Sequence, residues 1–371
     1  MNTTYKIGKS PPIDATDGAL RRIFSGFSAF LGLLIAVAPA YAEPLDFPAP
    51  TGSLEIIAAG EGVELVWSGG CGTTEGVVSA PDGTIYFSEI TFGFLCTDPA
   101  TNQQQAGNIW RHDPNTGETT LFRSPSGMAN GIAFDANGDM YYAMGADFGL
   151  RAIGRTDMNS GRSYIIAGKY NNQPLNSPND LTIDTQGRIW FTDPRVLGHE
   201  PMHQPFRGVY RLDPDGTVTR VVDSAGAPNG IVLSPDQETL YVSNIDVGTF
   251  DFASVRGDQP PLTVPPHNIW AFDISEDGSL SNKREFVRFY PDAGSDGIAV
   301  DVEGNVYTTT RGERKGVIVF SPAGEELAYI STGDEKPTNV GFGRGEDSNV
   351  LYITAGTSVY RVRLAIDGYQ L

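Results

Sequence analysis

NGIAFDANGDMYYA, residues 130–143, decides the fold. A polar residue and a glycine open it, an apolar alternation follows, and an aromatic-rich strand closes it. Gly138 falls eight residues after the leading Asn130. That is where a tight hairpin turn between alternating strands needs a positive φ.

The same frame recurs on both sides. Upstream it reads EGVVSAPDGTIYFS from Glu75. Downstream it reads NDLTIDTQGRIWFT from Asn179 and NGIVLSPDQETLYVS from Asn229, the latter one residue longer. It returns as DGIAVDVEGNVYTT from Asp296 and, more loosely, as NVGFGRGEDSNVLYIT from Asn339. The starts are 55, 49, 50, 67 and 43 residues apart, a blade-sized period. A second strand–turn–strand unit follows each first one, as in GNIWRHDPNTGETTLF from Gly107 and GVYRLDPDGTVTRVV from Gly208. It ends the chain as SVYRVRLAIDGYQL.

Two hairpins per period make a four-stranded antiparallel blade, and six periods make an all-β, six-bladed β-propeller. Another all-β array is the alternative. Leu54–Ala59 reads as a lone strand that supplies the missing outer strand of the last blade and closes the ring.

Composition agrees. Glycine fills 44 of 371 positions, well above the usual ~7%. Hydrophobic residues make up 40%, enough for a core. The 45 acidic residues against 26 basic ones give a net charge of −19, which argues against nucleic acid or an anionic membrane as the main partner.

Residues 1–42 read as a secretory signal. Arg21 and Arg22 precede a mostly apolar stretch from Phe24 to Pro39, and Ala40-Tyr41-Ala42 gives a small-x-small cleavage pattern. An uncleaved anchor is the alternative. Residues 43–371 then form a single propeller domain, periplasmic or secreted, with no membrane attachment once the signal is removed. In an exported protein Cys71 and Cys96, 25 positions apart, most simply form one disulfide. A functional thiol is the other reading, and the pair is too small for a zinc site.

Inner propeller strands converge on a central channel, so the leading residues of the six copies lie near one mouth. They are Glu75, Asn130, Asn179, Asn229, Asp296 and Asn339. Carboxylate and amide oxygens suit a hard divalent cation, Ca²⁺ before Mg²⁺. Taken singly, an Asn or Asp before Gly more often caps a turn. His199 and His203 in HEPMHQPFRG have a spacing that suits a metal pair, but Pro201 and Pro205 make a substrate-covering loop or plain surface the better reading. Asp193 and Asp246 follow second strands and either line the mouth or cap turns. No Gly-x-Ser-x-Gly elbow is present.

The stretches LNSPNDLTIDTQGRIWFTDP (175–194) and PTNVGFG (337–343) resemble the gluconolactonase/regucalcin (SMP-30-like) family over roughly residues 54–363. The resemblance implies a six-bladed propeller holding a divalent ion, usually calcium and sometimes zinc, that hydrolyses sugar-acid lactones. By position it makes Glu75, Asn229 and Asp296 metal ligands. Asn179 becomes a ligand or substrate contact, and Asn130 a substrate contact. Two features depart from that pattern. Glu75 is followed by Gly76-Val77 where Gly-Pro is usual, and a Pro-rich insert at 259–266 predicts a reshaped pocket mouth.

The leading expectation is therefore a metal-dependent lactonase acting on a small lactone or ester, with Asp296 as ligand and general base. Phosphotriester or aryl ester cleavage on the same ring is a second reading. A binding module whose calcium is purely structural is a third.

Overall fold

Each repeat folds as its alternation demands, with inner and second strands buried on both faces and outer strands facing water. The computed structural model describes residues 45, 47–91, 96–97, 102–196, 198–223, 226–245, 267–289 and 291–371. The expected leader, Asp246 and the 259–266 insert lie outside the described residues.

Six blade-forming antiparallel sheets succeed one another along the chain, and Lys169–Tyr170 with Gln173–Pro174 makes a small two-stranded one between blades II and III. Blade I comprises Thr73–Ser79, Ile85–Ile90, Asn108–His112 and Thr119–Arg123. Blade II comprises Ala129–Phe134, Met140–Met144, Ala152–Asp157 and Arg162–Ala167. Blade III runs through Leu181–Ile183, Ile189–Asp193, Gly208–Leu212 and Val218–Val222. Blade IV runs through Pro228–Leu233, Thr239–Asn244, Asn268–Ile274 and Leu280–Arg288. Blade V holds Ile298–Val300, Val306–Thr310, Gly316–Phe320 and Glu326–Ser331, and Thr51–Gly52 adds a short fifth strand to its edge. Blade VI holds Pro337–Phe342, Val350–Ala355 and Ser358–Arg363. Among the described residues the single helical element is a 3₁₀ turn at Gly345–Asp347. The protein is a six-bladed β-propeller.

The fourth strand of blade VI is Glu64–Ser68, which pairs with Ser358–Arg363 from Glu64 opposite Arg361 to Ser68 opposite Ser358. This corrects the expectation that Leu54–Ala59 closes the ring. Ile56 and Ile57 are both buried in the core between blades V and VI. Adjacent strand residues point to opposite faces, so an edge strand could not bury both against one core. The segment instead turns, with the Ile56 and Ile57 N–H groups donating to Ser53 O. Trp67 gives the true closing strand its anchor, its ring 5.1 Å from Phe87 and 4.9 Å from Trp110. The expected last hairpin is also absent. After Ser358–Arg363 the chain crosses back, and the Tyr369 N–H donates to Val300 O in blade V.

The core is a ring of six apolar seams, one per pair of neighbouring blades. Tyr86 and Ile109 of blade I meet Ile132, Phe134 and Met140 of blade II. Val77, Ile85 and Phe87 of blade I meet Val350, Tyr352 and Val359 of blade VI. Each large side chain fully buried this way contributes roughly 1.5–3 kcal/mol before conformational entropy is charged.

The hairpin turns follow the sequence closely. Gly83, Gly138, Gly187 and Gly304 take φ values from +76° to +87°. The aspartate before each caps its own turn. Asp135 Oδ1, for example, accepts the N–H groups of Asn137 and Asp139, both at 2.9 Å. In blade IV, whose copy is longer, Gln237 takes the left-handed position at φ +61°.

Candidate functional site

A bulge aims the leading residue of each long inner strand into the channel. In blade I, Thr74 pairs with Glu89 and Val77 with Phe87, which leaves Glu75-Gly76 opposite one residue, Ser88. The same slip frees Asn130-Gly131 in blade II and Asn229-Gly230 in blade IV. Such an inserted residue re-aims a side chain without breaking the sheet. In blades III and V the inner strand is shorter. Asn179 and Asp296 sit just before it, held by their N–H groups on Thr192 O (2.9 Å) and Thr309 Oγ1 (3.1 Å).

Neighbouring blades lock these positions together. Gly131 donates its N–H to Asn179 O at 2.8 Å, and Gly230 donates to Asp296 O at 3.1 Å. Second-strand hydroxyls do the same from outside, Ser88 onto Asn130 O (2.7 Å) and Thr192 onto Asn229 O (2.6 Å).

Glu75, Asn130, Asn179, Asn229 and Asp296 line one pocket together with Arg311. Asn339 does not join them. In blade VI the slip lies between Pro337 and Asn339, so Thr338 takes the leading place. The Thr338 hydroxyl turns away, donating to Thr74 O at 2.6 Å. Asn339 falls one step deeper, level with Gly76, Gly131, Gly230 and Gly297 and beside Asp180, and its Oδ1 accepts the Val340 N–H at 2.8 Å.

The pocket's charges strain against one another. Burial, and then the Asp296 carboxylate, push Glu75 well above the usual carboxylate range, with Arg311 pulling the other way. Burial raises Asp296 to about 6 against the pull of Arg311 and Asn229. Asp180, beneath the ring, is raised by burial to about 7. Of these only Glu75 and Asp296 line the pocket, facing one guanidinium, whose Nη1 donates to Asp296 Oδ2 at 2.8 Å. The buried Asn130 Oδ1 has no protein partner. Ionised together, the two pocket carboxylates and Arg311 leave one negative charge uncompensated. An oxygen-rich, anionic pocket with an unpaired amide oxygen matches a hard divalent cation in donor type and sign of charge.

Arg311 escaped the sequence reading. The registers align it with Ile90, Gly145 and Ile245, at the channel end of the second strands of blades I, II and IV. Tabulating that step across the copies would have found Arg311, the first residue of RGERKG, as its lone basic residue.

The other candidates lie elsewhere. Asp193 accepts the N–H groups of Asn176 (2.9 Å) and Ser177, fixing the loop that leads to Asn179. Glu89 plays the same part in blade I, where Oε1 accepts the Cys71 and Gly72 N–H groups at 2.6 and 2.8 Å. Cys71 and Cys96 are bonded to each other, with Cα atoms 5.6 Å apart, so their sulfurs offer Glu89 no metal site. His199 Nδ1 lies 3.1 Å from Asp147 Oδ1, and His203 Nδ1 lies 3.4 Å from Arg151 Nη1. They have different partners, and neither lines the pocket.

The family profile described as SMP-30/Gluconolactonase/LRE-like region matches residues 73–357, from the first strand of blade I into blade VI. The chain belongs to this family. A gluconolactonase from Zymomonas mobilis is 28% identical over 90% of this chain and 86% of its own length. The lactonohydrolase oryL of Aspergillus oryzae is 29% identical over 76% of this chain and 66% of its own. Among solved structures, a gluconolactonase from Xanthomonas campestris superposes with a TM-score of 0.70 at 27% identity, covering 88% of this chain and 99% of that one.

Proposed function

We propose that the protein hydrolyses lactones, cleaving a cyclic carboxylic ester to a hydroxy acid, at the pocket formed by Glu75, Asn130, Asn179, Asn229 and Asp296. The observation that carries this reading is the convergence of five oxygen donors from five blades beside one arginine. The lactone-hydrolysing relatives support it.

Glu75, Asn179, Asn229 and Asp296 would hold a divalent cation, with calcium first and zinc or magnesium next. A cation bound there would supply Lewis-acid polarisation of the lactone carbonyl. Asp296 acts as general base toward the attacking water. Burial raises the pKa of this carboxyl in the metal-free pocket, and a carboxylate beside the attacking water can take its proton. Arg311 engages Oδ2 and so fixes the plane of the carboxylate. The Asn130 amide, unpaired at Oδ1, orients substrate. Residues 1–42 serve as a leader removed on export to the periplasm or beyond. N-terminal sequencing of the exported protein, with a start at Glu43, checks that.

The test is lactone hydrolysis followed by pH-stat, with and without chelator. Turnover that a chelator abolishes and added Ca²⁺ restores supports the reading. Chelator-insensitive turnover, or full activity in Asp296→Asn, overturns the mechanism.

A further inference from the structure

The walls above the donor ring differ from its floor. Among the described residues, Ile90, Met128, Ala146, Pro178, Val196 and Ile245 are six of the nine that line the pocket apart from the ring and Arg311. Of the four lining residues that share one register step at this tier, Ile90 and Ile245 are aliphatic, Gly145 has no side chain, and Arg311 is engaged with Asp296. Among the described residues Thr73 and Ser177 are the remaining polar lining side chains, and the Ser177 hydroxyl already accepts the Ala146 N–H at 2.9 Å.

A sugar lactone carries hydroxyls around its ring. Pressed against aliphatic walls they lose water without gaining partners, and such a mismatch is heavily penalised. An alkyl substituent gains there.

We propose that this pocket selects lactones bearing an apolar substituent over polyhydroxylated sugar lactones. The inference rests on the lactonase reading and names the substrate class of that same site. The ring oxygens and Arg311 serve the ester, and the walls serve the tail.

The decisive measurement is kcat/KM for δ-valerolactone, δ-hexalactone, δ-octalactone and D-glucono-1,5-lactone, each normalised to its rate with hydroxide. The expected result is a rise of roughly fourfold per methylene along the first carbons. Gluconolactone should fall about tenfold or more below δ-valerolactone. Val196→Thr, which nearly keeps the shape and adds a hydroxyl, should narrow the gap about threefold or more. A flat alkyl series, or gluconolactone matching the alkyl lactones, overturns this inference and leaves the lactonase reading standing. No turnover of any of the four overturns the lactonase reading, and this inference falls with it.

Discussion

Two rings of residues lie one position apart in the channel and could hardly differ more. The upper holds Glu75, Asn130, Asn179, Asn229, Asp296 and, turned aside, Thr338. The lower holds Gly76, Gly131, Asp180, Gly230, Gly297 and Asn339. The bulge that swings the upper residue inward presses the lower one against the next blade. A Cβ on Gly230 would stand 2.5 Å from Asp296 O, and one on Gly76 would meet Asn130 O. On Gly131 and Gly297 it would collide with the Asp180 and Asn339 side chains. The two side chains of the lower ring thus occupy space that their glycine neighbours leave. Chemistry is confined to the upper ring because the lower one is consumed by packing.

The comparison can be broken at several points. Asp296→Asn should lower kcat by about 10²–10⁴-fold, while far-ultraviolet circular dichroism stays that of a folded propeller. Next in size, Gly230→Ala should cost about 2–3 kcal/mol in urea unfolding, because the atom it meets is backbone and cannot swing away. A cost near zero would mean that the lower ring is not crowded.

A smaller effect sharpens the charge argument. Folded-state pKa values of about 7 for Asp180 and about 6 for Asp296 stand above the ordinary ~3.9 of an unfolded aspartate. Between those limits the folded chain binds more protons than the unfolded one, so stability falls as pH rises. Chelated protein should therefore be on the order of 1 kcal/mol or more weaker at pH 7.5 than at pH 4.5. Saturating Ca²⁺ should flatten that slope, as read by the urea midpoint at each pH. The smallest effect is expected at the rim, where His203→Ala should leave kcat/KM within about twofold.

Much of this architecture was legible because it repeats. Six copies of a strand–turn–strand frame, four of them with glycine at one fixed offset, specify blades and their number. Five of the six leading residues follow from the same alignment. Asn339 does not, because the last copy begins PTNVG and its bulge falls one residue earlier. A one-residue slip is invisible where no glycine marks the second position. Arg311 was hidden for a related reason. It sits one residue past the second strand, whose channel end is level with the ring only once the sheet is paired. The closing strand was misread because ELVWS is short and LEIIAA more apolar, and apolarity alone does not say which residues can share one face.

The clasp formed by Glu64–Ser68 on Ser358–Arg363 has a consequence for synthesis. Nearly three hundred residues separate the two strands of that pair, so closure is a long-range event that local hairpins cannot anticipate. Until it occurs, the seam between blades VI and I lacks its cover, and blade I, which supplies Glu75, has no neighbour on one side. A chain leaving the ribosome can complete several blades without possessing a pocket. Activity is then a property of the finished circle, gained in one step at the end of assembly, and any turnover measured is also a count of molecules that have closed.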